Sequence, residues 1–297
     1  MAKIDKSLYS KAEWKRIRQE RRNLKAQDSH DMVVGALRRQ QIPEIAPVFE
    51  KGYPDYEAVN KDEVNNYVLC LKHGTKYSAE YVNTLYNMVK RNLGVPFKMA
   101  CLTDNPKGIN KDIECINIPH NLSGWWCKPY MYSSSLPLPN DCTILYMDLD
   151  VVISGPLDKL FTYQPGEWCV IRDFTRAMQP QWQKYNSSVI RFRKGQLNDV
   201  WARFIADPQK VIGSHFGDQD WLWTAAQGTA KLWPDEWIRS YKWEVRKDRH
   251  LSAGVKGERK FTKQENPKPD EQCSIAVFHG DPNPHNCDDP WVVENWK

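Results

Sequence analysis

No stretch of the 297 residues stays apolar for the length that a membrane span requires. The opening residues, MAKIDKSLYS, also lack the apolar centre of a secretory signal. Both absences lead to the expectation of a cytoplasmic protein with no membrane span. Tight C-x2-C pairs are missing too. Without an export signal, Cys70, Cys101, Cys142 and Cys169, in or beside apolar runs, read as reduced core residues and not as disulfides. The one candidate zinc set is Cys273, His279, His285 and Cys287, spaced C-x5-H-x5-H-x-C, looser than structural zinc sites use. The bulk of the chain also lacks a charge excess. Residues 1–40 carry eleven Lys/Arg against five Asp/Glu, whereas the rest carries 31 basic against 32 acidic residues. The net +5 therefore belongs to an N-terminal segment, and the body is nearly neutral. A hydrophobic content of 41% excludes a disordered chain, and the length suffices for a core that needs no staples.

The pattern along the chain divides it into a basic helical arm at 1–41, a linker at 42–63 and a main domain at 64–297. Ser10-Lys-Ala-Glu13 fits a capping box, and a helix follows to about Ala26. A second short helix covers about Asp31 to Gln41. Three prolines mark the linker. The main domain then alternates strand and helix patterns. YVLCL (67–71) is a buried strand, SAEYVNTLYNMVKRNLG (78–94) an amphipathic helix stopped by Gly94, and FKMACL (97–102) and IECINI (113–118) are further strands. This rhythm predicts a parallel αβ sheet whose ligands lie beyond the carboxyl ends of its strands. Loops bearing Lys72 to Tyr77, Asp104 and Asp148 to Asp150 would then gather at one edge. Later come EWCVIRD (167–173), the alternating NSSVIRFRKG (186–195) read as a half-exposed strand, a helix at 197–207 and a helix opening at GDQDWLW (217–223). Residues 245–272 read as a long surface loop, and SIAVFHG (274–280) as a last strand.

The chemistry concentrates in TILYMDLDVVISGPLDKLF (143–161), where a buried strand runs into Asp148 and Asp150. An apolar segment exposes two acids at its end only at a cost, unless something positive sits there. Oxygen ligands leaving a strand end suit hard divalent cations, and phosphates can fill the open positions. Lys128 lies shortly upstream, either as a surface residue at a helix start or as a lysine able to swing toward such phosphates.

These blocks, in this order over about residues 67–296, resemble the retaining glycosyltransferases of the glycogenin and bacterial lipopolysaccharide galactosyltransferase type. The resemblance implies a type A glycosyltransferase fold, a Rossmann-like mixed sheet flanked by helices, with a nucleotide-sugar donor and Mn²⁺ or Mg²⁺. Carried over residue by residue, it implies Asp148, Asp150 and His279 as metal ligands. It makes Lys128, Tyr77, Lys72, Asp104, Asp148, Asn186 and Gly280 donor contacts. Gln219 falls near the reacting sugar carbon, and Asp218 on the sugar hydroxyls. Asn186 also fits a plain turn residue. Two departures stand out. The family's diphosphate-gripping lysine is Asn283 here, and the acid that reads the base edge is Gly74, which leaves the base open between uracil and another. The acceptor is not implied; the arm, with Lys15, Arg18 and Arg22, suits DNA or another polyanion. A second reading is a nucleic-acid-binding protein with an inactive glycosyltransferase-like domain.

Overall fold

The computed structural model describes residues 65–118, 122–247 and 267–297. The arm, the linker and most of the 245–272 segment lie outside these residues. Seven strands form the main sheet: β1 (Asn66–Lys72), β2 (Lys98–Thr103), β3 (Ile113–Asn117), β4 (Thr143–Met147), β6 (Cys169–Arg172), β7 (Tyr185–Arg193) and β8 (Lys231–Leu232). Their order is β3-β2-β1-β4-β7-β6-β8. The first four are mutually parallel, β7 runs antiparallel to both β4 and β6, and β8 pairs parallel with β6. A second sheet joins β5 (Val151–Ile153), β10 (Ile275–Val277) and β9 (Ile238–Ser240) in the order β5-β10-β9. The main sheet is thus mixed, as the resemblance implied, and not uniformly parallel.

Alternation along β1 explains how the sheet is sandwiched. Val68 and Cys70 enter one core with Leu85, Met88 and Val89 of α1 (Ala79–Asn92), and with the second sheet. α1 stops where the Asp158 carboxylate, at the head of α2 (Asp158–Thr162), accepts from the Gly94 amide at 3.1 Å. Tyr67 and Leu69 enter the other core. There they meet Trp201 and Phe204 of α3 (Asn198–Ala206), Val211 of α4 (Pro208–Ser214) and Trp221 of α5 (Asp218–Ala226). Period two in the strand sends neighbours to opposite faces, and the 3.6-residue period of α1 lays its apolar stripe on one of them.

β7 departs from the alternating pattern read in its sequence. It lies between β4 and β6 and is buried over most of its length, not half-exposed. Arg191, polar by type, is 3% exposed. Its guanidinium donates to the carbonyls of Leu160, Phe161, Gln164 and Glu167 at 2.8–3.2 Å. A buried cation is tolerable here because carbonyl dipoles replace its water.

Candidate active site

The parallel strands β1, β2 and β4 end on one side, so the loops that follow them meet at that edge. Both carboxylate oxygens of Asp104, just past β2, accept from the Gly74 amide at 3.1 and 3.0 Å. The Gly124 amide donates to His73 Nδ1 at 3.1 Å. Tyr77 Oη donates to Asp150 Oδ2 at 2.8 Å. The expected convergence of the β1, β2 and acid-motif loops is therefore present. Asp104 spends both oxygens on holding the first loop. One side of the Tyr77 ring carries the Lys76 ammonium, 4.6 Å from its centroid, and the ring tilts against Tyr81 at 4.7 Å.

Lys128 is at the centre. It lies in the 3₁₀ segment Gly124–Tyr132 and is 5% exposed, so it is not a surface residue. Its ammonium stands 2.9 Å from Asp148 Oδ1 and 3.3 Å from Asp218 Oδ2, and donates to Ser187 Oγ at 3.2 Å. Burial disfavours its charge, but the carboxylates of Asp148 and Asp218 outweigh burial and raise its pKa. Burial pushes Asp218 up, with Lys128 opposing. Tyr146 Oη, from β4, donates to the same Asp148 oxygen at 2.7 Å, and Ser187 Oγ donates to Asp218 Oδ2 at 2.7 Å.

A bulge in β7 makes this possible. Val170 pairs with Ile190 but the next β6 residue, Ile171, pairs with Asn186, so residues 187–189 are extra on the β7 side. Such irregularities re-aim side chains beside functional sites. Here Asn186 Oδ1 accepts from the Ser188 amide at 3.0 Å, closing the turn, and Ser187 faces the lysine. Gln219, in the first turn of α5, is held at both ends. Its Oε1 accepts from the Ser187 amide at 3.3 Å, and its Nε2 donates to Asp173 Oδ2 at 3.1 Å.

Asp150 and His279 occupy the neighbouring strand ends, linked by Phe278, whose amide donates to the Asp150 carbonyl at 2.8 Å. Burial first, and then the charge of Asp148, push the Asp150 carboxyl up to about 6. Burial and the nearby Lys242 lower His279 to about 4, so its ring is neutral at physiological pH. That ring lies over Phe174 and hydrogen-bonds through Nε2 to Ser240 Oγ at 2.6 Å. Gly280 has φ +86°, open to glycine at little cost, and a Cβ there would come 3.1 Å from Lys242 Nζ. Lys242 thus lies against the His279-Gly280 turn.

The carboxylates of Asp148 and Asp150 match the oxygen preference of Mn²⁺ and Mg²⁺, and the neutral His279 nitrogen suits the softer Mn²⁺ better than Mg²⁺. Both bonds to Asp148 run through Oδ1, leaving Oδ2 for another partner. Asp148 and Asp218 share one buried lysine, and Asp150 lies close enough to feel the charge of Asp148. A divalent ion would offset that excess of negative charge. Among the described residues, however, no three His, Cys, Asp or Glu side chains converge at metal-binding distance. The carboxylates and His279 are each turned to protein partners. The zinc-spaced residues likewise point to separate partners: Cys273 to the Ile275 carbonyl, His279 to Ser240, His285 to Tyr81 and Cys287 to Tyr241.

Lys72 ends β1 on the Cys70 side and is 5% exposed. Sequence reasoning missed Tyr146, Asp173, Ser240 and Lys242 as members of this site, and Ser187 as its hinge. Asp173 could have been found, since it closes a predicted strand on the same sheet.

No family profile matches the chain, and no curated protein matches it. Solved structures do. An active-site mutant of LgtC is 14% identical with a TM-score of 0.52, covering 75% of this chain and 91% of that one. LgtC, a galactosyltransferase, in complex with donor and acceptor sugar analogues is 12% identical with a TM-score of 0.52, covering 78% and 96%. The glycosyltransferase GlyE of Streptococcus pneumoniae TIGR4 is 12% identical with a TM-score of 0.54, covering 78% of this chain and 62% of that one. The main domain therefore has the type A glycosyltransferase fold, and the Lys128 cluster lies where its parallel strands end.

Proposed function

We propose that this chain is a metal-dependent glycosyltransferase. It would move a sugar from a nucleotide-sugar donor, a UDP-sugar first among candidates, to an acceptor hydroxyl with retention. The observation that supports this best is the buried Lys128 shared between Asp148 of the acid motif and Asp218 at the head of α5. It ties the donor-side acids to the helix that would present Gln219 to the sugar, within a fold whose solved examples include glycosyltransferases.

The residues divide the work as follows. Asp148, Asp150 and His279 would hold Mn²⁺ or Mg²⁺, which when bound supplies Lewis-acid stabilisation to a departing diphosphate. Lys128 is matched by two carboxylates, so it orders acids and does not grip phosphate. Lys242, beside Gly280, is the cation we assign to the diphosphate where Asn283 offers no charge. Asp218 makes its contacts through Oδ2, so Oδ1 is assigned to a sugar hydroxyl. Asp173 and Ser187 hold the Gln219 amide at both ends, and that amide would lie near the sugar carbon and steady its developing positive charge. Tyr77, Asn186 and Gly280 would line the donor edge, with Asp104 holding the first loop and Lys72, buried at the end of β1, behind it.

Nucleotide sugars incubated with the protein and Mn²⁺ should release nucleoside diphosphate, and Asp150→Asn should slow release at least about 100-fold. Full release after chelation, or unchanged release by the variant, would sink the metal assignment. Product NMR reads the stereochemistry: an α-donor should give an α-product. The +6 of residues 1–40 favours one second reading, polyanion binding by a domain that transfers nothing. Absence of release with every donor, together with DNA binding, would select it.

A further inference from the structure

Arg176 is a cation only 5% exposed that lies outside the carboxylate cluster. Its guanidinium grips one side chain with two prongs. Nε donates to Glu244 Oε1 at 3.0 Å, and Nη2 donates to Glu244 Oε2 at 3.1 Å. Nη2 also reaches the Ile238 carbonyl at 2.7 Å, and Nη1 stands 3.1 Å from Asp235 Oδ1. A two-pronged pair fixes direction as well as distance. Glu244 passes that constraint to the chain around it. Its Oε2 accepts from the Ser240 amide at 2.8 Å, and Ser240 Oγ accepts from the Trp243 amide at 3.1 Å. The Arg246 amide donates to the Tyr241 carbonyl at 2.8 Å, which closes Tyr241–Val245 as a single π-helical turn. Lys242 belongs to that turn, and its ammonium lies against Gly280.

Arg176 is tied equally closely to the sugar side of the site. It belongs to the short 3₁₀ segment Phe174–Ala177, which Asp173 caps, and its amide donates to the Asp173 carbonyl at 3.0 Å. Asp173 Oδ2 accepts from Gln219 Nε2 at 3.1 Å. Between the two, the Phe174 ring lies along the His279 ring, with centroids 5.8 Å apart. Four consecutive residues, 173–176, thus reach the Gln219 amide, the His279 ring and, through Glu244, the turn that carries Lys242.

We propose that Arg176 and Glu244 are positioning residues for the donor diphosphate, fixing Lys242 at a set separation from Gln219. The assignment rests on the transferase reading and on the place given there to Lys242. In a nucleotide sugar, covalent bonds fix the span from the second phosphate to the reacting carbon. A cation and an amide that act on those two points must therefore be held at a matching span. A lysine is a point charge on a flexible four-carbon stem, so its base needs a rigid mount. Glu244 suits that task only as a carboxylate. Oε1 faces Arg176 Nε, with Arg239 Nη1 at 3.5 Å, while Oε2 faces Arg176 Nη2 and the Ser240 amide. An amide in its place would turn its own N–H groups toward one of these donors.

The test reads the ratio of nucleoside diphosphate to monophosphate affinity by calorimetry on the full chain with Mn²⁺. UDP, GDP and ADP and their monophosphates are titrated, and the pair that binds is carried forward. E244Q should lower the ratio about fivefold with monophosphate affinity unchanged, and R176K, which keeps the charge but loses the fork, should act in the same direction. In a K242M background, E244Q should change the ratio by less than about 1.5-fold, because the cation it positions is already gone. A purely structural pair would weaken both nucleotides alike or neither, and its effect would persist without Lys242. Thermal midpoints identify the folded variants. An unchanged ratio in folded E244Q or R176K, or a full further loss in K242M/E244Q, would overturn the positioning role alone. Failure of the intact chain to bind any of the six nucleotides would sink the transferase reading, and this assignment with it.

Discussion

Lys128 shows what a single residue contributes here and what its sequence context conceals. Its partners arrive from β4, from the β7 bulge and from α5, so nothing within a few residues of Gly124–Tyr132 announces a buried ion pair. Asp148 and Asp150 were legible because they are adjacent to a strand pattern; the lysine's role depends on long-range contacts. Removing the cation leaves two carboxylates buried beside each other. Lys128→Met should therefore cost about 3–5 kcal/mol in urea unfolding, well above the effect of an ordinary surface substitution. A loss under about 1 kcal/mol would show that the carboxylates simply rehydrate. Lys242 offers a further test, since it is half-buried on the Tyr241–Val245 turn and lies against the His279-Gly280 turn. Lys242→Met should weaken nucleoside diphosphate binding in Mn²⁺ about tenfold and leave the monophosphate nearly unaffected, with Lys242→Arg restoring most of the difference. Equal weakening of both nucleotides by calorimetry would remove Lys242 from the diphosphate.

Among elements, the strands rich in Val, Ile, Leu and Cys and the amphipathic α1 were readable because burial follows local periodicity there. β1, α1, β2 and β3 lie within a residue or two of their expected bounds. β7 was misread as half-exposed for a physical reason. Ser187, Ser188, Arg191 and Arg193 give it a polar alternation, but the serines sit in the bulge and Arg191 is buried against carbonyls. Alternation reports side-chain type, whereas burial here depends on partners supplied by α2 and the turn after it. Arg191→Lys tests that account. A single ammonium cannot reproduce the fork that reaches four carbonyls, so the variant should lose about 2–4 kcal/mol of stability while keeping the same fold by circular dichroism. A wild-type unfolding midpoint would mean that water replaces the lost bonds.

For the whole molecule, the distribution of charge separates two tasks. The described residues build the sheet edge and its acids, and their helices include none long and apolar enough to cross a membrane. Residues 1–40 carry +6 outside the described part, against a body of 31 basic and 32 acidic residues. A charge so concentrated acts over roughly a Debye length, about 8–10 Å at physiological salt, and so can retain a polyanion without altering donor chemistry. Deleting residues 1–41 should then abolish retention on duplex DNA and leave nucleoside diphosphate release within about twofold of the intact chain. Binding by the intact chain should weaken steeply between about 50 and 200 mM salt, since each phosphate contact releases a condensed counterion. Charge reversal at Lys15, Arg18 and Arg22 should flatten that slope by roughly three contacts without touching release. A truncated chain that keeps the full salt slope would place the polyanion contact on the domain, against the acids, and would overturn the division of tasks.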